Sequence, residues 1–180
     1  CAPWVAPQTM AAIVRTESSF NPLSIGVNGG ARLVRQPVDK TEAVVTAKWL
    51  INKGYNIDLG LGQINSSNLL KFGLSLDDAF DPCKNLATAA KILHGNYQAA
   101  KNKVQGEQEA LHAALSAYNT GSFSKGFLNG YVQKVIKNFN TEPSAIGKII
   151  TPIPLISKQS NKQVSKLRIQ PDSKTVKLKI

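Results

Sequence analysis

A chain of 180 residues with 42% apolar content is long enough for one globular domain with some tail to spare, which excludes disorder throughout. Its formal net charge of +11 points to an anionic partner, whether nucleic acid, a membrane surface or an acidic polymer such as a cell-wall glycan. No apolar run reaches the roughly eighteen residues that a bilayer-spanning helix needs.

From Pro7 to Ser18, Met10, Ile13 and Val14 fall on one helical stripe whose next position is Glu17, so a carboxylate takes a core-facing slot. Residues 21–38 carry Pro22, Gly26, Gly29, Gly30 and Pro37, too many breakers for regular structure, and read as loop. Asp39 followed by Glu42 resembles a capping box, and Ala43, Val44, Ala47, Leu50 and Ile51 then repeat at helical spacing until Gly54. The stretch Gly54 to Asn65 is irregular and leads into one or two helical turns at Leu69 to Phe72. Asp81 and Pro82 supply a cap and a first-turn proline for a long helix marked by Leu86, Ala90, Leu93 and Tyr97. Leu111, Ala114, Leu115 and Tyr118 mark another, and a last helix is expected from about Asn129 to Phe139, with Val132, Val135 and Phe139 inward. No strand is expected before residue 140.

The fold class is therefore mainly α, with a helical domain over residues 1–140 and a tail over 141–180. Residues 1–140 hold 14 Lys+Arg against 9 Asp+Glu, net +5, while the last forty hold 8 against 2, net +6, so the tail is the basic part. Pro143, Pro152, Pro154 and Pro171 interrupt any periodicity there, and a mobile or docking tail is expected. Val176, Leu178 and Ile180 alternate with Lys177 and Lys179, which admits a short edge strand beside the simpler reading of a solvated end.

Cys1 and Cys83 admit three states: a disulfide closing one large loop and stabilising by about 2–4 kcal/mol, two free thiols, or a lipid carried on Cys1. Their separation fits no zinc motif, and His94 and His112 stand apart, so neither a metal site nor a cofactor is expected. A start at Cys1 suits a mature exported protein and a trimmed chain alike.

A glutamate among apolar side chains, near the negative end of its helix, resists ionisation for two reasons and keeps its proton near neutral pH. Such an acid can protonate a leaving oxygen, which is what cleaving a glycosidic bond requires. Periodicity alone leaves the alternative open that Glu17 is a helix-end residue bonded to Arg15, Ser18 or a loop amide. A second carboxylate for glycosidase chemistry is not evident, since Asp58, the nearest candidate, precedes Gly60 where Asp commonly makes a turn.

Three motifs occur in order: Glu17-Ser18-Ser19-Phe20-Asn21-Pro22, Gly60-Leu61-Gly62-Gln63-Ile64-Asn65 and Ala117-Tyr118-Asn119-Thr120-Gly121. Together they resemble the lytic transglycosylases of the goose-lysozyme-like superfamily, over roughly Pro7 to Phe139. Gly26-Val27-Asn28-Gly29-Gly30, Val34-Arg35-Gln36-Pro37, the inserted helix around Trp49 and Phe80-Asp81-Pro82-Cys83-Lys84-Asn85-Leu86 resemble the branch that degrades peptidoglycan for type IV secretion systems.

The resemblance implies a lysozyme-like helical domain in which Glu17 is the catalytic acid and the product is a 1,6-anhydromuramoyl end. It implies that Ser18, Gln63, Asn65, Tyr118 and Asn119 bind substrate, with the Tyr118 hydroxyl paired to the catalytic carboxyl and Ser18 holding the active-site loop or the carboxyl. In an extended stretch, the amides of Gln63 and Asn65 would point the same way toward an acetamido group. Asn65 reads equally well as a helix cap, Asn119 as a C-terminal cap, and Tyr118 as core. Many relatives carry methionine where this chain has Gly62. The expected partners are peptidoglycan glycan strands and, through the tail, other type IV secretion components, in the periplasm.

Three rival readings keep part of this evidence. A hydrolytic muramidase would use the same acid with water as the nucleophile, and a non-cleaving assembly module would only bind wall. Nucleic acid is the weakest candidate, because the aromatics are not interleaved with basic residues.

Overall fold

In a computed structural model that describes residues 1–141, helices dominate and the core gathers around the first of them. Proline at the first helical position starts α1 (Pro7–Ser18), and Met10, Ala12, Ile13 and Val14 are buried along it. The helix stops where Ser19 and Phe20 both take left-handed backbone, at φ 52° and 65°. The guanidinium of Arg15 lies 5.6 Å from the centre of the Phe20 ring and packs over this reversal.

The helix α2 (Lys40–Asn52) is capped by Asp39, which accepts the Glu42 amide, and it buries Ala43, Ala47 and Leu50. Only half of the expected capping box forms. Glu42 reaches past the cap to the Val38 amide and takes both arms of the Arg35 guanidinium, pinning the preceding loop to α2. Beyond it come α3 (Leu69–Phe72), α4 (Leu76–Ala79), α5 (Pro82–Lys101) and α6 (Glu107–Thr120). The chain then forms α7 (Lys125–Leu128) and α8 (Tyr131–Phe139). Neighbouring pairs α5 with α6 and α1 with α8 make the main helix contacts. The short α4 and α7 were not expected, since one turn is too little chain for a helical period to register.

Strands before residue 140 were not expected, and this reading is corrected: β1 (Ile25–Val27), β2 (Ile57–Leu59) and β3 (Ile64–Asn65) pair antiparallel in that order. Each has only two or three residues, and β1 lies inside the stretch read as loop, so local alternation is too short to mark it. Burial and pairing with distant chain supply what the local sequence lacks. Ile57 and Leu59 are fully buried, and the Gln36 amide bonds both the N–H and the C=O of Ile25, at 2.7 and 3.1 Å. That side chain occupies the open edge of β1 as a further strand would.

Cys1 and Cys83 are joined in a disulfide with 5.2 Å between their Cα atoms, tying the N-terminal segment to the first turn of α5. No helix of the described residues is long and apolar enough to cross a membrane. Of the tail expected over 141–180, all but residue 141, the alternating Val176 to Ile180 end included, lies outside the described residues.

Candidate active site

A cavity of about 710 Å³ opens between the end of α1, the small sheet, α5 and the end of α6. Glu17, Asp58, Gln63, Asn65, Tyr118 and Asn119 all line it.

The carboxyl of Glu17 is mostly buried, and this burial is the main reason that its pKa rises to about 7. The Tyr131 hydroxyl donates to Glu17 Oε1 at 2.5 Å and partly counters the rise, because it stabilises the carboxylate. The charge of Asp58 pushes the pKa further up and that of Lys134 pulls it down. Near neutral pH the group is thus divided between acid and base.

Asp58 sits on β2, not in a turn, which corrects the sequence reading. It stands opposite Gly26 on one side and Asn65 on the other. Its Oδ2 accepts from Asn28 Nδ2 at 2.9 Å and its Oδ1 from Asn65 Nδ2 at 2.7 Å, so a carboxamide just past the end of β1 and another on β3 fix it. The sequence signal for this strand is a single apolar-polar-apolar alternation across Ile57, Asp58 and Leu59.

Asn65 takes the capping role and also faces the cavity. Its Oδ1 caps the turn Ser66–Asn68 by accepting the Ser67 amide. Gln63 lines the cavity too, but the extended geometry expected for it is corrected. Its backbone is left-handed at φ 48°, and its Nε2 donates to the carbonyl of Gly60 within the turn and to that of Ser24, just before β1. The Oε1 lies over Gly26, where a Cβ would come within 2.7 Å of it.

The pairing expected between Tyr118 and the catalytic carboxyl is corrected as well. Tyr118 donates instead to the Gly62 carbonyl at 2.6 Å, and Tyr131 holds Glu17. Gly62 makes this possible: a Cβ there would lie 2.7 Å from the Ala89 Cβ and 3.0 Å from the Tyr118 hydroxyl. A methionine has no room at this position.

Ser18 does not line the cavity, so its place among the substrate-contacting residues is corrected. One step round the helix from Glu17, its buried hydroxyl meets the carbonyls of Val14 and Leu61 and ties α1 to the glycine-rich turn. Asn119 lines the cavity and accepts from Asn129 Nδ2 at 2.9 Å; the C-cap of α6 is Gly121 rather than Asn119.

Asn85, quoted above only within a resemblance, is the buried node behind the turn. Its Nδ2 donates to the carbonyls of Leu59 and Ala79, and its Oδ1 accepts the Gly62 amide. Gly60, at φ 74°, fits against it because a Cβ would lie 2.3 Å from that nitrogen.

These contacts fix the sign of two substitutions. Asp58→Asn removes a nearby negative charge and lowers the Glu17 midpoint, whereas Tyr131→Phe removes a donor to the carboxylate and raises it. Carbon-13 NMR of the labelled glutamate would read both, and shifts of the same sign would contradict this account.

The family model for the transglycosylase SLT domain matches residues 1–141. The chain is 51% identical over 162 residues to the type IV secretion system protein virB1 of Brucella suis biovar 1, covering 86% of this chain and 68% of that one. It is also 51% identical over 164 residues to the virB1 of Brucella abortus biovar 1, covering 88% and 67%. To the protein virB1 of Agrobacterium fabrum it is 45% identical over 136 residues, covering 75% of this chain and 54% of that one. No solved structure matches it significantly. With its three motifs converging on one cavity and its helical domain matched throughout, the chain belongs to the transglycosylase SLT domain family and is a lytic transglycosylase.

Proposed function

We propose that Glu17 cleaves the β-1,4 bond between N-acetylmuramic acid and N-acetylglucosamine, leaving 1,6-anhydromuramoyl ends. The observation that carries this reading is a mostly buried carboxyl with a pKa near 7 at the wall of a groove-sized cavity. Glu17 gives its proton to the bridging oxygen as the bond from the anomeric carbon to that oxygen breaks. The carboxylate then takes the proton of the muramoyl 6-hydroxyl, whose oxygen bonds to the anomeric carbon. No water is consumed, and Glu17 ends protonated as it began. Tyr131 suits this double duty, since its hydroxyl steadies the carboxylate between the two steps.

Gln63 Oε1 and Asn119 are the amide groups proposed to meet the sugar. Ser18 and Asn85 are positioning residues, holding the turn that carries Gln63. The names of the relatives support a place in type IV secretion, where such an enzyme opens the wall locally from the periplasm, with residues 141–180 as a separate basic segment that docks on the apparatus.

Asp58 favours a second reading. A carboxylate on the same cavity is what a hydrolase would use to help water attack, giving a muramidase. Mass analysis of digested peptidoglycan separates the two, because the transglycosylase reaction yields products 18 Da lighter at each new muramoyl end, about one water. Anhydro ends are expected; reducing ends alone would overturn the first reading in favour of the second.

A further inference from the structure

The cavity has a second wall whose chemistry the cleavage step does not use. Asn68, Lys71 and Phe72, three and four residues apart, face it from the short turn and α3, while Lys91, Ile92 and Asn96 face it from one side of α5. Gly95 lies between the last two, and a Cβ there would meet nothing within 4 Å, so this part of the wall is open.

Both lysines lack a carboxylate partner. The described residues form three ion pairs, Arg35 with Glu42, Lys40 with Asp77 and Lys84 with Asp78, and neither cavity lysine is among them. The acids lining the cavity are Glu17 and Asp58, and the oxygens of Asp58 are already occupied by Asn28 and Asn65. The cavity therefore offers two ammonium groups and two carboxamides beside an aromatic ring and an isoleucine, with no carboxylate of the described residues in ion-pair contact with either ammonium.

The glycan backbone is a chain of neutral N-acetylated sugars apart from the lactyl carbon chain of each muramoyl unit, and that chain carries the stem peptide. The anionic groups that a cleaved strand brings to this cavity are thus peptide carboxylates. We infer that Lys71 and Lys91, flanked by Asn68 and Asn96, form a subsite for the carboxylates of the muramoyl stem peptide, and that this subsite makes the enzyme select peptide-bearing wall over bare glycan. The aliphatic parts of the peptide would lie on Phe72 and Ile92. The inference rests on the proposed substrate, and its test is chosen to stand apart from cleavage.

Equilibrium binding of peptide-bearing glycan fragments is compared with binding of the same fragments after their carboxyls have been amidated, which removes charge but keeps shape. The wild type should bind the native fragments about 3- to 10-fold more tightly, as two exposed charge pairs allow. Lys71→Gln with Lys91→Gln should abolish that difference, and the double arginine variant should keep most of it. In turnover of native wall the glutamine variant should raise KM and leave kcat nearly unchanged.

Equal binding of native and amidated fragments by the wild type would overturn the subsite. So would discrimination that survives in the glutamine variant. Millimolar competition by inorganic phosphate, lost in the variant without any preference for the native fragments, would assign the lysines to phosphate instead. Binding that behaves as expected in a protein that cuts no wall would sink the proposed reaction and leave the subsite standing.

Discussion

Glu17→Gln should abolish cleavage and yet make the protein more stable at alkaline pH. Loss of general acid catalysis alone costs about 10²- to 10⁴-fold in rate, and here one group performs both proton transfers, so the loss should reach the upper end of that range. The stability effect follows from the raised pKa. Glu17 titrates near 4.5 in the unfolded chain and near 7 when folded, so the folded state holds the proton more tightly. Its neutral form is fully compatible with the fold below pH 4.5, and stability falls as pH rises through the window up to about 7. Above that window the buried charge costs about 3 kcal/mol. Glutamine carries no charge, so the variant should exceed the wild type by up to this amount at pH 8 and differ little at pH 5. Urea unfolding at the two pH values measures it; an equal difference at both would show that Glu17 is not a buried acid.

Asn85→Ala should be among the most destabilising single changes in the domain, without touching substrate. The side chain is 1% exposed, and its removal strands the carbonyls of Leu59 and Ala79 and the amide of Gly62. Each buried group left without a partner costs about 1–3 kcal/mol, so a total of about 3–5 kcal/mol is expected after partial relaxation. Activity should fall even where the variant remains folded, because the same bonds hold the turn that presents Gln63. Asn102→Ala, an exposed carboxamide at the end of the same helix, should stay within about 0.5 kcal/mol. A cost for Asn85→Ala as small as that control would show that water or a shifted backbone replaces its bonds.

The two predictions differ in how they could be seen beforehand. Glu17 was legible because a carboxylate on a stripe of Met10, Ile13 and Val14 breaks the period of an otherwise ordinary helix. Asn85 was not, since an asparagine three residues after a helix-starting proline looks like any first-turn polar residue. What marks it is that β2, the glycine-rich turn and the end of α4 all converge on one side chain.

The sequence by itself determined the long helices, the buried acid and the three motifs that meet at the cavity. These depend on spacing within one element or on short runs of residue types, and such information is local. Tertiary structure alone decided that Tyr131, rather than Tyr118, holds Glu17, since the two partners are 114 positions apart and meet only where α8 packs on α1. It also decided that Asp58 belongs to the cavity, because strands of two or three residues exist only once distant segments pair. Hydrogen-bond partners and opposing charges are set by distances through space, and those distances have no counterpart along the chain until it has folded.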